Sequence, residues 1–325
     1  MDRQKAERLL HCVSILKEME AQPDVTRREI SEKTGISLMT IGKLCALFEN
    51  AELMKSHKEE KSEIGRRAMR CVLSPALSFC VLDCSGAVST LTLYDEHGKT
   101  TLTLMHGSSA GSLPADVFGQ FLDRMTDMLS RIRFRQPGAV VLIHPGVFDR
   151  ETGVLRPETP GCPSFDVRSK ILNLFPSSFL KVVTPAAAAE ASMELHGSPE
   201  QIAVLLGNST ELAFPNAEEP YSAYTAVPRS LRVDGNTFGE RLDMLGAPDR
   251  ASLDSLFSAV SAFFPGKGVR VFLLARDGGA LSRSEINDVV QPLLPGRVIF
   301  SDDPSAELSE GARLLLLCDI LKKHI

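Results

Sequence analysis

The sequence predicts an α/β protein with a small helical module at its N-terminus. Three observations predict it. Residues 3–50 hold three helical patterns, the last two joined by a three-residue glycine turn. Residues 78–105 then read as three consecutive strands. From residue 139 onward strands and helices alternate, so the sheets must be mixed.

In the first segment, Ala6, Leu9, Leu10, Val13, Leu16 and Met19 recur at helical spacing. Pro23 and Asp24 stop that helix. The next opens with Thr26-Arg27-Arg28-Glu29, where Thr26 caps the helix and Glu29, three residues on, completes a capping box. Val25 and Ile30 stand where a hydrophobic staple would hold the chain entry. Thr34-Gly35-Ile36 is the turn, with Gly35 free to take a positive φ. Ser37 caps the third helix, whose Ile41, Leu44 and Phe48 face inward. Leu53–Lys55 and Met69–Leu73 read as two strands, and the segment between them as a wing. Residues 55–70 carry six basic and three acidic groups, a charge suited to phosphate contact. This is the order of a winged helix-turn-helix. The alternative reading is a three-helix bundle used for dimerisation. Residues placed to meet DNA are Thr26, Arg27, Ser37, Leu38, Met39, Thr40 and Lys43, with Lys61, Arg66 and Arg67 on the wing. Leu38 and Met39 offer only packing on thymine methyls, which weakens base readout at the helix start.

The body begins with the strands SFCVLDC, VSTLTLYD and TTLTLM, the last two joined at Asp95-Glu96-His97-Gly98. A helix over 115–133 and the strand 139–144 follow. Then come the strand LKVVT, an alanine-rich helix over 186–196 and the strand 201–207. Helices at 250–263, 282–291 and 305–323 alternate with strands at 269–275 and 297–300. The order divides into two similar halves near residue 200.

The 325 residues are 43% hydrophobic and 24% charged, the composition of a globular chain with a sizeable core. The net charge of −5 excludes a wholly basic nucleic-acid coat. Residues 1–70 carry +2 and residues 71–325 carry −7, so a slightly basic head sits on an acidic body. The seven cysteines are scattered with no C-x-x-C pair, which argues for a reducing compartment and against a disulfide frame or zinc cluster. With a charged N-terminus and no membrane-length apolar run, a cytoplasmic protein is expected.

Three stretches carry a family resemblance. GRRAMRCVLSPALSFCVLDCSGAVSTLTLYDEHGKT (65–100) follows the passage from wing strand through a first phosphate loop to a D-x-x-G turn. HPGVFDRETGVL (144–155) is like P-G-P-V-D-x-x-T-G-x-V, and VVTPAAAAEA (182–191) is like V-E-N-D-A-N-A-A-A-x-A-E. With the winged helix in front, the chain resembles the ROK family of sugar-responsive repressors and sugar kinases. The resemblance implies a two-lobed actin/hexokinase-like (ribonuclease H-like) body over 76–325 behind a DNA-binding domain over 1–75. Lobe one would span about 76–200 plus the C-terminal helix, and lobe two about 201–304.

The same comparison shows what is missing. The family's D-I-G-G-T becomes Asp83-Cys84-Ser85-Gly86-Ala87, and L-G-T-G-x-G becomes Leu206-Gly207-Asn208-Ser209-Thr210-Glu211. Glu211 would repel a phosphate. A third glycine-rich stretch, Leu273–Gly279, fits poorly. The general-base aspartate falls on Pro185, which accepts no proton, and Asn-Asp becomes Thr184-Pro185. Neither the sugar-gripping E-x-G-H nor the cysteine-rich zinc motif has a counterpart. No catalytic residue, metal or cofactor is assigned.

The resemblance therefore implies a transcription repressor, an operator DNA partner, a homodimer or tetramer, and a carbohydrate-like effector if there is one. The effector cleft would hold Asp83, Ser85, His144, Thr184 and Asn208. Asp83 reads equally as a remnant phosphate-site residue or as a turn cap, and His144 as a packing histidine or a ligand. Arg276 and Asp277 read as an ion pair over the old nucleotide site or as a solvated loop. The rival functions are a sugar kinase with an atypical site and a protein-binding scaffold with a vestigial winged helix.

Overall fold

The computed structural model describes residues 3–58, 68–86, 88–107, 114–156, 163–176, 178–197, 201–206, 210–216, 219–226, 228–245, 248–274 and 282–324. The wing tip, with Lys61, Arg66 and Arg67, lies outside the described residues, as do Asn208, Arg276 and Asp277.

The head comprises α1 (Arg3–Ala21), β1 (Val25–Thr26), α2 (Arg27–Thr34), α3 (Leu38–Asn50), β2 (Met54–Lys58) and β3 (Met69–Leu73). Its strands form an antiparallel sheet in the order β1-β3-β2, the arrangement of a winged helix-turn-helix. The local chemistry is as the sequence predicts. The Thr26 side chain accepts from the Glu29 N–H while Glu29 reaches back to Thr26, a complete capping box. Gly35 ends α2 at a φ of 71°, and the Ser37 hydroxyl accepts the Thr40 N–H. Helix α1 differs in one respect. Its buried stripe includes Cys12 and Ile15, and Leu10 is turned outward at 40% exposure. The stripe is needed on two sides because α1 packs both on the head and on the body.

The first half of the body holds β4 (Phe79–Asp83), β5 (Val88–Tyr94), β6 (Thr100–Gly107), α4 (Pro114–Ser130), β7 (Ala139–Ile143), β8 (Val147–Phe148), β9 (Val154–Arg156), β10 (Phe165–Asp166), α5 (Val167–Leu174), β11 (Phe179–Val183) and α6 (Pro185–Leu195). The second holds β12 (Gln201–Leu206), β13 (Thr210–Pro215), β14 (Ala223–Ala226), β15 (Arg232–Val233), β16 (Asn236–Thr237), α7 (Phe238–Leu245), α8 (Arg250–Phe263), β17 (Gly268–Leu273), α9 (Arg283–Val290), β18 (Val298–Phe300) and α10 (Pro304–Lys322).

The two main sheets repeat one plan. The first runs β6-β5-β4-β7-β11 and the second β14-β13-β12-β17-β18. Each starts with two antiparallel pairings and continues with two parallel ones. Numbered by order within each half, both sheets read 3-2-1-4-5, so the two halves foreseen around residue 200 are duplicated in topology. Strands β13 and β14 and helices α5 and α7 are absent from the sequence reading. Their segments are short, and Pro215 and Pro220 interrupt the β13–β14 pattern.

Helices α6 and α10 fill the space between the sheets, and they cross over. Helix α6 leaves the first sheet and packs on β12, β13 and β14, while α10 leaves the second and packs on β4 and β7. Their mutual approach depends on small residues. A Cβ on Gly311 would lie 1.8 Å from the carbonyl oxygen of Ala188. The alanines of α6 are therefore packing groups: Ala186, Ala188, Ala189 and Ala191 are completely buried. One apolar core runs without a break from α1 through α10 and α6 to Ala203, Leu205 and Phe272 of the second sheet. Separate clusters lie outside each sheet, one under α4 and α5 and one under α8 and α9. Among the described residues no helix is long and apolar enough to cross a membrane.

Candidate functional site

Two places were expected to carry function: the outer face of the head and the crevice between the lobes. On the head, Ser37, Leu38, Met39 and Lys43 lie on the exposed side of α3, with Leu38 at 54% and Met39 at 75% exposure. Lys55 and Lys58 are exposed on the neighbouring β2. Thr40 is half-buried, and its hydroxyl is 3.0 Å from that of Ser37. Thr26 is committed to the capping box. Arg27 turns toward the sheet, reaching Ser56 Oγ at 3.4 Å and Glu49 Oε1 at 3.7 Å. Of the expected head residues within the described part, those presented outward are therefore Ser37, Leu38, Met39 and Lys43.

In the body, β4, β7 and β11 are parallel neighbours, and their C-terminal ends meet. The Cys84 N–H donates to the Ile143 carbonyl and the His144 N–H to that of Val183, at 2.9 and 3.1 Å. This brings Asp83, Ser85, His144 and Thr184 to one edge of the sheet, the usual ligand position in such folds. Each polar group there is already engaged. The Asp83 carboxylate accepts from the Ser85 N–H at 2.9 Å and the Ser85 hydroxyl at 2.6 Å, and Ser305 Oγ of α10 is 3.4 Å away. Burial raises the Asp83 pKa. The turn-capping role of Asp83 is thus the one the geometry displays.

His144 is 5% exposed and lies against the edges of Phe118 and Phe165. Its Nδ1 is hydrogen-bonded to the Pro145 carbonyl. Burial brings its pKa down to about 4, so it is a neutral imidazole with Nδ1 as the donor at neutral pH. Cys84 is half-buried, and desolvation pushes its thiol up to about 12. Neither group is poised to exchange protons near pH 7.

The start of α6 shows the strongest departure from a phosphate or sugar site. Helix N-termini bind anions through their free N–H groups. Here Pro185 has none, the Ala187 N–H donates to Thr184 Oγ1 at 3.2 Å, and the Ala188 N–H donates to the Thr184 carbonyl at 3.1 Å. The remaining donor, Ala186 N–H, reaches Glu211 Oε2 at 3.1 Å. Glu211 stands on β13 of the opposite lobe and is 3% exposed. A carboxylate of the chain itself thus occupies the position an anion would take. Sequence reading identified Glu211 as hostile to phosphate but not as a partner of α6. The contact joins two lobes, and no local pattern announces it.

At its other end α6 meets the head. Lys17 Nζ of α1 is 3.4 Å from the Leu195 carbonyl. Nearby, Arg313 of α10 forms an ion pair with Glu20 of α1 and lies 5.0 Å over the Phe79 ring. Among the described residues no cluster of His, Cys, Asp and Glu could hold a metal.

No protein-family model matches the sequence, and no curated protein matches it. Solved structures do match. One is a ROK family transcriptional regulator described as a homolog of the E. coli MLC protein. It is similar over 98% of this chain and 99% of its own, at 11% identity and a TM-score of 0.64. Another is a protein from Listeria monocytogenes for which N-acetylmannosamine kinase activity is proposed. It covers 74% of this chain and 99% of its own, at 12% identity and a TM-score of 0.52. The fold is that of ROK proteins: a helix-turn-helix head on a duplicated kinase-like body. The match to the regulator spans nearly the whole of this chain, and the other about three quarters of it.

Proposed function

We propose that the chain is a cytoplasmic DNA-binding transcription regulator, a repressor, whose kinase-like body has lost catalysis and serves dimerisation and sensing. The observation that carries the loss of catalysis is the closed start of α6. Pro185 stands where the resemblance puts the base, and Glu211 uses the donor an anion would need. The DNA-binding half of the reading rests on the outward face of α3, flanked by Lys43, Lys55 and Lys58. A two-fold pair of such heads suits a palindromic operator. An effector in the crevice would act by favouring one lobe arrangement and so shifting the population of DNA-competent dimers. Helix α6 touches both the crevice and the head, which gives that shift a route.

A gel shift against the DNA upstream of its own operon tests the reading, with Lys43→Ala and the Arg66→Ala/Arg67→Ala pair as controls. The expected result is a shift that weakens with salt and with each control. A salt-insensitive or absent shift would favour a protein-binding scaffold, for which the apolar tip Leu38-Met39 is the feature on offer. ATP turnover with hexoses or amino sugars in a coupled assay would overturn the non-catalytic body.

A further inference from the structure

A cavity of about 40 Å³ lies in the joint between the head and the body. Three helices line it with aliphatic side chains: Val13 and Leu16 of α1, Leu195 at the end of α6, and Leu314 and Leu317 of α10. Four charged side chains complete the lining, Lys17 and Glu20 of α1 and Glu310 and Arg313 of α10. Both acids have partners. Glu20 is paired with Arg313, and Glu310 Oε2 is 2.8 Å from His196 Nε2. The cations keep unused donors. The exposed Lys17 ammonium makes one contact among the described residues, a long one of 3.4 Å to the Leu195 carbonyl. The Arg313 Nε–H is buried and has no partner among the described residues. A buried donor without an acceptor is costly, and this one belongs to a side chain that lines a cavity. A mostly aliphatic wall with a few polar groups is the lining of a small-molecule site.

We propose that this joint binds a small aliphatic monocarboxylate, of about two to four carbons by the size of the cavity, at a site separate from the crevice between the lobes. The carboxylate accepts from Lys17 Nζ and Arg313 Nε, and the hydrocarbon end packs on the five aliphatic side chains. Size sets the class. One water-sized sphere needs about 10 to 15 Å³, so the cavity takes roughly three or four non-hydrogen atoms and excludes a sugar or a nucleotide. Charge sets the sign. An amine would meet two cations and find both acids already paired. The binding groups are divided between the head, with Val13, Leu16 and Lys17, and the body, with Leu195, Leu314 and Arg313. The ligand is therefore held only while head and body keep this arrangement, and its binding shifts the population toward it. Any consequence for DNA rests on the function proposed above; the binding itself does not.

The test is saturation-transfer NMR on the full chain with sodium propionate as the probe. 1-Propanol and propylammonium, at the same ionic strength, are its neutral and cationic counterparts. The expected result is saturation of the propionate methyl group with a dissociation constant of about 1 mM, the scale open to a ligand of this size. The alcohol and the amine should bind at least about tenfold more weakly, for want of the charge-assisted hydrogen bonds. Lys17→Met keeps the aliphatic stem at an exposed position and should weaken propionate binding by roughly tenfold. Hydrogen exchange locates the site without any variant: propionate should slow exchange in α1 and α10, and leave the crevice ends of β4, β7 and β11 unchanged. No saturation of propionate, equal binding of the three probes, full affinity in Lys17→Met, or protection confined to the crevice would each overturn the proposal.

Discussion

Replacing Glu190 with glutamine is expected to remove a pH dependence from the stability of the body. Glu190 lies in the middle of α6, 1% exposed, and its Oε2 has no hydrogen-bond partner among the described residues. Glu194, one turn further on, is a second half-buried carboxylate, and it accepts the Tyr221 N–H at 2.7 Å. Burial first, and the charge of Glu194 second, raise the Glu190 pKa from 4.5 to about 8. At 1.36 kcal/mol per unit, that displacement corresponds to about 4 to 5 kcal/mol at most. The sign follows from proton uptake. Between the two values the folded chain holds a proton that the unfolded chain has lost. Stability is therefore full below about pH 4.5 and declines as pH rises toward 8. Glutamine has nearly the shape of the protonated acid and cannot ionise. At pH 5 Glu190→Gln should match the parent to within about 1 kcal/mol, the scale of one changed hydrogen bond. At pH 8.5 it should be the more stable protein by about 2 kcal/mol or more. Urea unfolding followed by circular dichroism from pH 5 to 9 reads both. Parallel curves for the two proteins would refute the assignment of a buried, protonated Glu190.

Three further outcomes follow from contacts described above. Gly311→Ala places its methyl 1.8 Å from the Ala188 carbonyl oxygen. It should cost about 3 kcal/mol or more, as overpacking against backbone does, measured by chemical denaturation. Thr26→Ala removes the capping box of α2 and should cost about 1 kcal/mol, with early hydrogen exchange in that helix as the local readout. Arg313→Met leaves the half-buried Glu20 carboxylate without its cation. A loss of about 3 kcal/mol is expected, together with faster proteolytic cleavage near Ser74.

What was legible in the sequence is what short-range chemistry determines. The capping box at Thr26, the Gly35 turn, the Ser37 cap and the Asp95–Gly98 turn each involve groups within five residues, and each forms as read. The regular strands and the alanine helix were equally readable from period and composition. The missing groups lie in long-range geometry. Glu211 meets Ala186 across two lobes, and Arg27 turns inward although its position on α2 suggests solvent. In the crevice the residue types suggested a remnant site, and their hydrogen bonds to their own turns could be known only from coordinates. The emptiness of the alanine segment has two causes. Its first position lacks the acid, and the rest must be small for α10 to cross it at Gly311.

Helix α6 is also matched in charge at its two ends. The summed peptide dipoles leave a partial positive charge where the helix begins and a partial negative charge where it stops. A carboxylate from the second lobe, Glu211, stands at the beginning, and an ammonium from the head, Lys17, at the end. The rod, about 16 Å long at 1.5 Å per residue, is therefore held between counter-charges borrowed from two different parts of the molecule. Drawing either part away would uncover one pole. The same eleven residues that carry no chemistry of their own thus give the lobe and the head a shared electrostatic stake in one arrangement.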